Sequence, residues 1–362
     1  MTPKSISFDS LVKHENDFTK LLMMETGLSM SSANGEVRKS IMWFRAHLRF
    51  SLPEITVRDD STVKIITRYT PLGVTGIITP WNAPLLLAVG KILPALITGC
   101  PVIIKPSPFS PYTALKLVEL GNKFLPPGVI QVLSGDEQLG PWMVSHKNIA
   151  KISFTSSTTV GKRIAEAAAP LMKRLTLELG GNDAAIILPD VDIPTAAMQV
   201  TMGFQRMPPL LSQSKTNCNS KVKAFYEDCV KRGFRFAFGD GNIDTAVRGY
   251  FCPLTIVDNP PDDSMIVSDE PFGPIVPVQP WEDEIKVIEP ANNTSTGLGA
   301  SVWTRDPATA DRIARQMEAG NVGHKESGLG GEFGEMGLAS YLHISVLGEQ
   351  VVCATADAGD FK

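Results

Sequence analysis

Apolar positions recur every three or four residues through Phe8–Glu25 and again through Ser29–Phe50, and that period predicts two amphipathic helices. Ser61–Thr70 (STVKIITRYT) alternates instead and is rich in β-branched residues, which predicts a strand. Beyond it, short apolar β-rich runs take turns with helical patterns. Strands are expected at Gly73–Thr79, Val102–Lys105, Val129–Leu133 and Ile149–Phe154, and helices at Leu85–Thr98, Tyr112–Phe124 and Thr159–Ala169. Such strands, separated by helices, imply parallel β-α-β units and an α/β sheet with helices on both faces. A strand at Ala185–Leu188 and a helix at Pro194–Gln205 continue the series. Arg206–Ser220 (RMPPLLSQSKTNCNS) then shows no period. Order resumes with a helix at Lys221–Arg232 and strands at Phe234–Phe238 and Ala300–Trp303, followed by a helix at Pro307–Ala319. Asn321–Gly337 reads as a glycine-rich loop and Leu338–Leu347 as a last strand.

Composition narrows the class. A chain of 362 residues, 43% hydrophobic and 20% charged, has room for two or three ordinary globular domains. A net charge of −4 leaves no basic footprint for nucleic acid. The five cysteines (Cys100, Cys218, Cys229, Cys252, Cys353) form no CxxC pair or His/Cys cluster, so no metal site or disulfide framework is expected. The apolar run from Ala83 to Ile104 is broken by Pro84, Lys91, Pro94 and Pro101, which predicts buried core rather than a membrane span. The opening residues lack a signal peptide's apolar core, and a cytoplasmic protein is expected.

The most informative stretch is Leu175-Thr176-Leu177-Glu178-Leu179-Gly180-Gly181. Burial among leucines raises a carboxyl's pKa, as a general base near neutral pH requires. The natural partner is a cysteine, yet the first one downstream is Cys218. Four other constellations stand at strand ends or turns. Pro80-Trp81-Asn82 lies between a strand and a helix, where an Asn amide either donates to an oxyanion or caps the helix. Lys105 ends another strand ahead of Pro106-Ser107 and either binds a ligand's ribose hydroxyls or phosphate or is simply solvated. Phe154-Thr155-Ser156-Ser157-Thr158-Thr159-Val160-Gly161 joins a strand to a helix whose N-terminus suits a pyrophosphate, or merely carries a Ser/Thr cap. Glu270-Pro271-Phe272-Gly273-Pro274 is either a ribose-and-ring contact or a rigid turn. No G-x-G-x-x-G follows a strand, and the glycines at Gly328–Gly334 are given no ligand role.

The order and spacing of these five motifs resemble the aldehyde dehydrogenase superfamily, closest to fungal salicylaldehyde-dehydrogenase-like members, from about Leu11 to Leu347. The resemblance implies a parallel-sheet cofactor domain at 1–179 that includes an oligomerisation strand near 61–70, a truncated α/β catalytic domain at 180–335, an oligomerisation strand at 336–350, and a tail at 351–362. It also implies covalent catalysis. A cysteine thiolate attacks the aldehyde, an Asn and a backbone N–H hold the oxyanion, hydride passes to NAD or NADP, and a Glu activates the water that releases the acid. By position Asn82 matches the oxyanion Asn and Glu178 the base. Trp81, Lys105, Ser107, Ser157, Gly161, Glu270 and Phe272 match cofactor contacts. The implied substrate is a small aldehyde, possibly aromatic, and the implied assembly a homo-oligomer.

Four departures set this chain apart. The family's Asn-x-Gly-Gln-x-Cys segment should follow Gly203-Phe204, but Gln205-Arg206-Met207-Pro208-Pro209 runs instead toward a later family stretch, Lys221-Val222-Lys223-Ala224-Phe225. Asn321-Val322-Gly323 skips a loop that walls the substrate tunnel. The family's first strands are absent before Leu11. Ser156 and Pro108 stand where a glycine and a ribose-binding Glu are usual, leaving NAD against NADP open. The expectation is therefore an aldehyde dehydrogenase by descent that lacks its nucleophile. The alternatives are a non-catalytic binding or oligomerisation partner, a mis-spliced version of an active enzyme, or a nucleophile relocated to Cys218 in a flexible loop.

Overall fold

The structure, a computed structural model, describes residues 8–205, 215–243, 252–320, 325–332 and 334–350. The irregular stretch through residue 214, the break at 321–323, and the tail with Cys353 lie outside the described residues.

Three helices open the fold: α1 (Phe8–Lys13), α2 (Glu15–Thr26) and α3 (Met30–His47). Gly27, at φ 73°, closes α2, and the Ser29 hydroxyl caps α3 by accepting the Ser32 N–H at 3.2 Å. Strands β1 (Ile55–Asp59) and β2 (Val63–Pro71) follow. Strand β1 was not predicted; all five of its residues are exposed, so no buried face imprints a pattern on it.

The predicted alternation then appears as β3 (Thr75–Ile78), α4 (Pro84–Ile97), β4 (Val102–Lys105), α5 (Tyr112–Gly121), β5 (Ile130–Val132), α6 (Leu139–Ser145), β6 (Lys151–Thr155), α7 (Thr158–Ala168) and β7 (Arg174–Glu178). The remainder comprises β8 (Ala184–Ile187), α8 (Ile193–Gln205), α9 (Lys215–Lys231), β9 (Arg235–Phe238), β10 (Thr255–Asp258), α10 (Met265–Ser268), β11 (Ile275–Val278), α11 (Glu284–Asn292), β12 (Ala300–Trp303), α12 (Pro307–Ala314), β13 (Gly328–Leu329), α13 (Gly334–Ala339) and β14 (Leu342–Gln350).

The main sheet runs β13-β7-β6-β3-β4-β5; β13 is antiparallel and the other five strands are parallel. Helices cover it with two apolar clusters, one around Ile92, Ile104 and Val118, the other around Ile152, Phe154 and Ile164. The chain winds outward from β3 to β5 and then returns to the other side of β3 with β6 and β7. The switch point therefore falls between β3 and β6, and the crevice past their carboxyl ends is where such sheets bind ligands. The second region forms a sheet β11-β10-β9 and a separate parallel pair β12-β8. Strand β14 pairs antiparallel with β2, uniting the two predicted outlying strands in one sheet with β1.

Two expectations are corrected. The glycine-rich loop contains β13 and most of α13, because Gly328 and Leu329 pair with Glu178 and Leu177 of β7. Cys218 lies in the first turns of α9, not in a flexible loop. Among the described residues, no helix is long and apolar enough to cross a membrane.

Candidate active site

Parallel register aligns the carboxyl ends of the strands. Thr155 of β6 is paired with Glu178 of β7, and Ile78 of β3 lies beside both Phe154 and Lys105. Four of the five sequence motifs thus converge on one edge, and the fifth, around Glu270, folds over it.

Glu178 is the most elaborately held. The Thr155 hydroxyl donates to its Oε2 at 2.7 Å, and the Lys91 ammonium lies 3.8 Å from the same oxygen. Lys91 is itself buried in α4 and donates to Glu332 Oε1. Burial pushes the Glu178 pKa up. The adjacent Glu332 charge and a hydrogen bond between the two carboxyls push the same way, while Lys91 and Thr155 oppose them. The network continues inward. The Ser153 hydroxyl donates to Glu332 at 3.4 Å, and Lys151 donates to Thr176 Oγ1 at 2.5 Å while sitting 4.5 Å from the Tyr341 ring centroid. Burial pushes the Lys151 pKa down to about 7. Latches from the glycine-rich segment hold the turn after Glu178. The Leu179 N–H donates to the Ser327 carbonyl at 2.8 Å, and the Ser327 hydroxyl donates to the Gly180 carbonyl at 2.7 Å.

Asn82 sits in the turn between β3 and α4. Its Oδ1 is buried without a hydrogen-bond partner, as is the Thr79 hydroxyl oxygen. Buried polar atoms are nearly always paired, so this amide oxygen is an acceptor left open at the strand's carboxyl end. Lys105 is buried to 8% exposure, with only the Pro106 carbonyl at 3.5 Å for its ammonium among the described contacts; burial lowers its pKa. Ser107 is also buried and accepts the Phe109 N–H.

Ser157 occupies the cap position of α7, but its hydroxyl caps nothing, so that helix N-terminus has no side-chain cap from Ser157. Gly161 is accounted for by packing: a Cβ there would meet Leu179 Cδ2 at 2.3 Å. Glu270 Oε2 accepts the Gly181 N–H at 3.3 Å, and burial raises its pKa. Phe272, with a positive φ of 49°, meets Trp81 edge-on with centroids 5.7 Å apart. A bulky residue held in the left-handed region marks a constrained site.

Reading along the chain did not single out Lys91 or Glu332. The available signal was a lone lysine in an otherwise apolar helix. Glu332 had none, because it sits in a glycine-rich run (Gly330, Gly331, Gly334) without a period. The three cysteines with described side chains are buried (Cys100, Cys229, Cys252). Cys100 precedes β4, at the opposite end of the sheet, and donates to the Tyr341 carbonyl. Burial pushes the Cys229 thiol up to about 11.

The sequence profile of the aldehyde dehydrogenase family matches residues 7–208 and 205–347, two segments that meet at 205–208. The FUS7 protein of Gibberella fujikuroi is 39% identical over 379 residues, covering 92% of this chain and 82% of that one. Aldehyde dehydrogenase LUC3 of a Fusarium species is 37% identical over 387 residues, with the same coverage. Among solved structures, the NAD+ complex of an aldehyde dehydrogenase from Bacillus cereus superposes with a TM-score of 0.88 at 27% identity, over 95% of this chain and 82% of that one. An NADP-dependent enzyme of E. coli gives 0.86 at 27% identity, over 95% and 84%.

Proposed function

The chain belongs to the aldehyde dehydrogenase family, and from that membership we propose that it binds NAD+ or NADP+ and an aldehyde at this edge but has lost most of the oxidation. The observation that carries the reading is a base network with no thiol beside it among the described side chains: Glu178 is held by Thr155 and Lys91, Lys91 is shared with Glu332, and Cys100, Cys229 and Cys252 are buried elsewhere. A thiol whose pKa burial raises is a poor nucleophile. The break of the family match at 205–208 falls where the cysteine segment is expected.

The residues present fit a nicotinamide dinucleotide. Lys105 and Ser107 would hold its ribose, the open N-terminus of α7 at Ser157 its pyrophosphate, and Glu270, Phe272 and Trp81 its nicotinamide end. The Lys105 ammonium, held only by the Pro106 carbonyl at 3.5 Å among the described contacts, and the uncapped start of α7 are the features that a bound ligand would satisfy. When bound, such a cofactor accepts hydride. The Asn82 side-chain NH2 would donate to the carbonyl oxygen, and Glu178, whose pKa burial raises, would in its ionised form accept a proton from water. Aromatic aldehydes are the proposed substrate class of the lineage. The domain division at 179/180, and homo-oligomerisation through the β1-β2-β14 sheet, belong to the same proposal.

The test is NAD+ and NADP+ reduction by the purified chain with aromatic and aliphatic aldehydes, beside Glu178→Gln and Cys218→Ala variants. Expected turnover is indistinguishable from that of Glu178→Gln, while NAD+ or NADP+ raises the melting temperature with concentration. Loss of a catalytic nucleophile costs on the order of a millionfold in kcat in a well-studied protease. Turnover that Cys218→Ala abolishes would overturn the proposal. A second reading, a mis-spliced version of an active enzyme, is favoured by the clean break of the family match at 205–208. A transcript encoding a cysteine after Phe204 would establish it.

A further inference from the structure

Neither α4 nor α5 caps its own N-terminus; Ala83 and Pro111 stand at the cap positions and no side chain there accepts a bond. Free N–H groups at a helix start need acceptors. Both helices obtain them from the N-terminal hairpin. Glu36 of α3 accepts the Leu85 N–H at 2.9 Å and the Leu86 N–H at 3.2 Å. Glu25 of α2 accepts the Thr113 N–H at 2.9 Å, together with the Tyr112 N–H and the Thr113 hydroxyl. Glu36 is only 7% exposed, and a carboxylate so buried is retained at a cost unless its bonds are needed.

The hairpin is a unit of its own. Asn34 and Arg38 of α3 both donate to Glu15 of α2 at 2.9 Å, and Phe18, Leu22 and Val37 pack with Leu85, Val89 and Leu93 of α4. The two turns that enter the capped helices are those of the site: Pro80–Ala83 runs into α4, and Pro106–Pro111 into α5. The Ser110 hydroxyl donates to the Trp81 carbonyl at 3.2 Å and ties one turn to the other.

We infer that Glu25 and Glu36 are positioning residues: the α2–α3 hairpin clamps two helix starts and thereby holds the Trp81-Asn82 and Lys105-Ser107 turns in the arrangement that receives the dinucleotide. Two carboxylates outside the ligand edge thus set its geometry. This rests on the proposed cofactor role of those turns.

The test uses the full chain with Glu36→Gln, Glu36→Leu, Glu25→Gln and Glu25→Leu. Glutamine keeps a carbonyl acceptor; leucine removes it. The leucine variants are expected to weaken NAD+ or NADP+ binding about tenfold, since a lost cap approaches the increment that changes an equilibrium by that factor. Glu36→Gln, which keeps the one oxygen that accepts both N–H groups, should stay close to the parent, and Glu25→Gln, which keeps one of two accepting oxygens, should fall between parent and leucine variant. Hydrogen exchange should accelerate in the leucine variants at residues 79–86 (Glu36) or 105–113 (Glu25) and remain unchanged at 151–155. A lower melting temperature with unchanged Kd and unchanged exchange in both turns would overturn the clamp. Where a leucine variant does not fold, Glu36→Asp, which withdraws the carboxylate by one methylene, is read by the same criteria. If the parent chain binds neither cofactor, the cofactor reading fails, and the exchange data alone decide the clamp.

Discussion

The two α/β regions of this chain are built from similar strands and buried very differently. In the main sheet all four residues of β3 and four of the five in β6 are buried. In the second region, β9 and β12 bury none of their residues and β8 buries one. Strands β8 and β12 are a parallel pair, a type normally covered on both faces, yet Ile187 is 38% exposed, and Phe238 and Val278 on the neighbouring sheet 56% and 53%. The half of the site that rests on the main sheet stands on buried strands, with Glu178 held by Thr155 and Lys91. The half that should face it stands on strands with exposed apolar side chains, in keeping with the proposed loss of the segment around the nucleophile.

The sharpest way to break this contrast is at its buried charges. Lys91→Met leaves Glu178 and Glu332 without their shared cation and should cost about 3–5 kcal/mol in urea unfolding, the usual price of an orphaned buried charge. A loss below 1 kcal/mol would mean that the carboxyls already share a proton.

The next effect is one of pH. Burial raises the Glu36 pKa to about 7, with the Glu25 charge adding to the rise and Lys39 and the Leu85 and Leu86 N–H groups opposing it. A folded pKa above the unfolded value gives stability that is full below about pH 4.5 and lost as pH rises through 7, about 3 kcal/mol in all. Glu36→Gln should flatten that slope, and an unchanged slope would assign it to another group.

Within the main-sheet core, Gly161→Ala pushes a methyl into Leu179 and should cost about 1–3 kcal/mol by overpacking, read as a lower melting temperature. The smallest effect belongs to the second region. Phe238→Thr should change stability by less than about 0.5 kcal/mol while reducing aggregation in light scattering, because the ring is already exposed. A large loss there would show that the strand is covered in solution and erase the contrast.

Strands with a buried or half-buried face were legible in both regions. Val102–Lys105 and Ala300–Trp303 were bounded as observed, since a short β-rich apolar run between a proline or glycine turn and a polar residue leaves few alternatives. Strand β1 and the two-residue β13 were not, because exposed or minimal strands carry no burial pattern. In the site, Glu178 and Asn82 could be picked out because each stands at a strand-to-loop junction beside apolar residues. Lys91 and Glu332 could not: they are partners 241 positions apart, and no local pattern links them. Glu25 and Glu36 read as ordinary charges on helix surfaces until α4 and α5 are placed against them.

Side-chain periodicity along the chain was enough to specify helices, strands and a parallel α/β sheet, because burial repeats every two or 3.6 residues wherever an element has an inside face. It also placed the reactive residue types at strand ends. Which carboxylate faces which ammonium, which helix start borrows its cap, and that Trp81 meets Phe272 depended on how the elements pack. Those contacts join residues far apart in sequence, and their energies exist only once water has been excluded from between them.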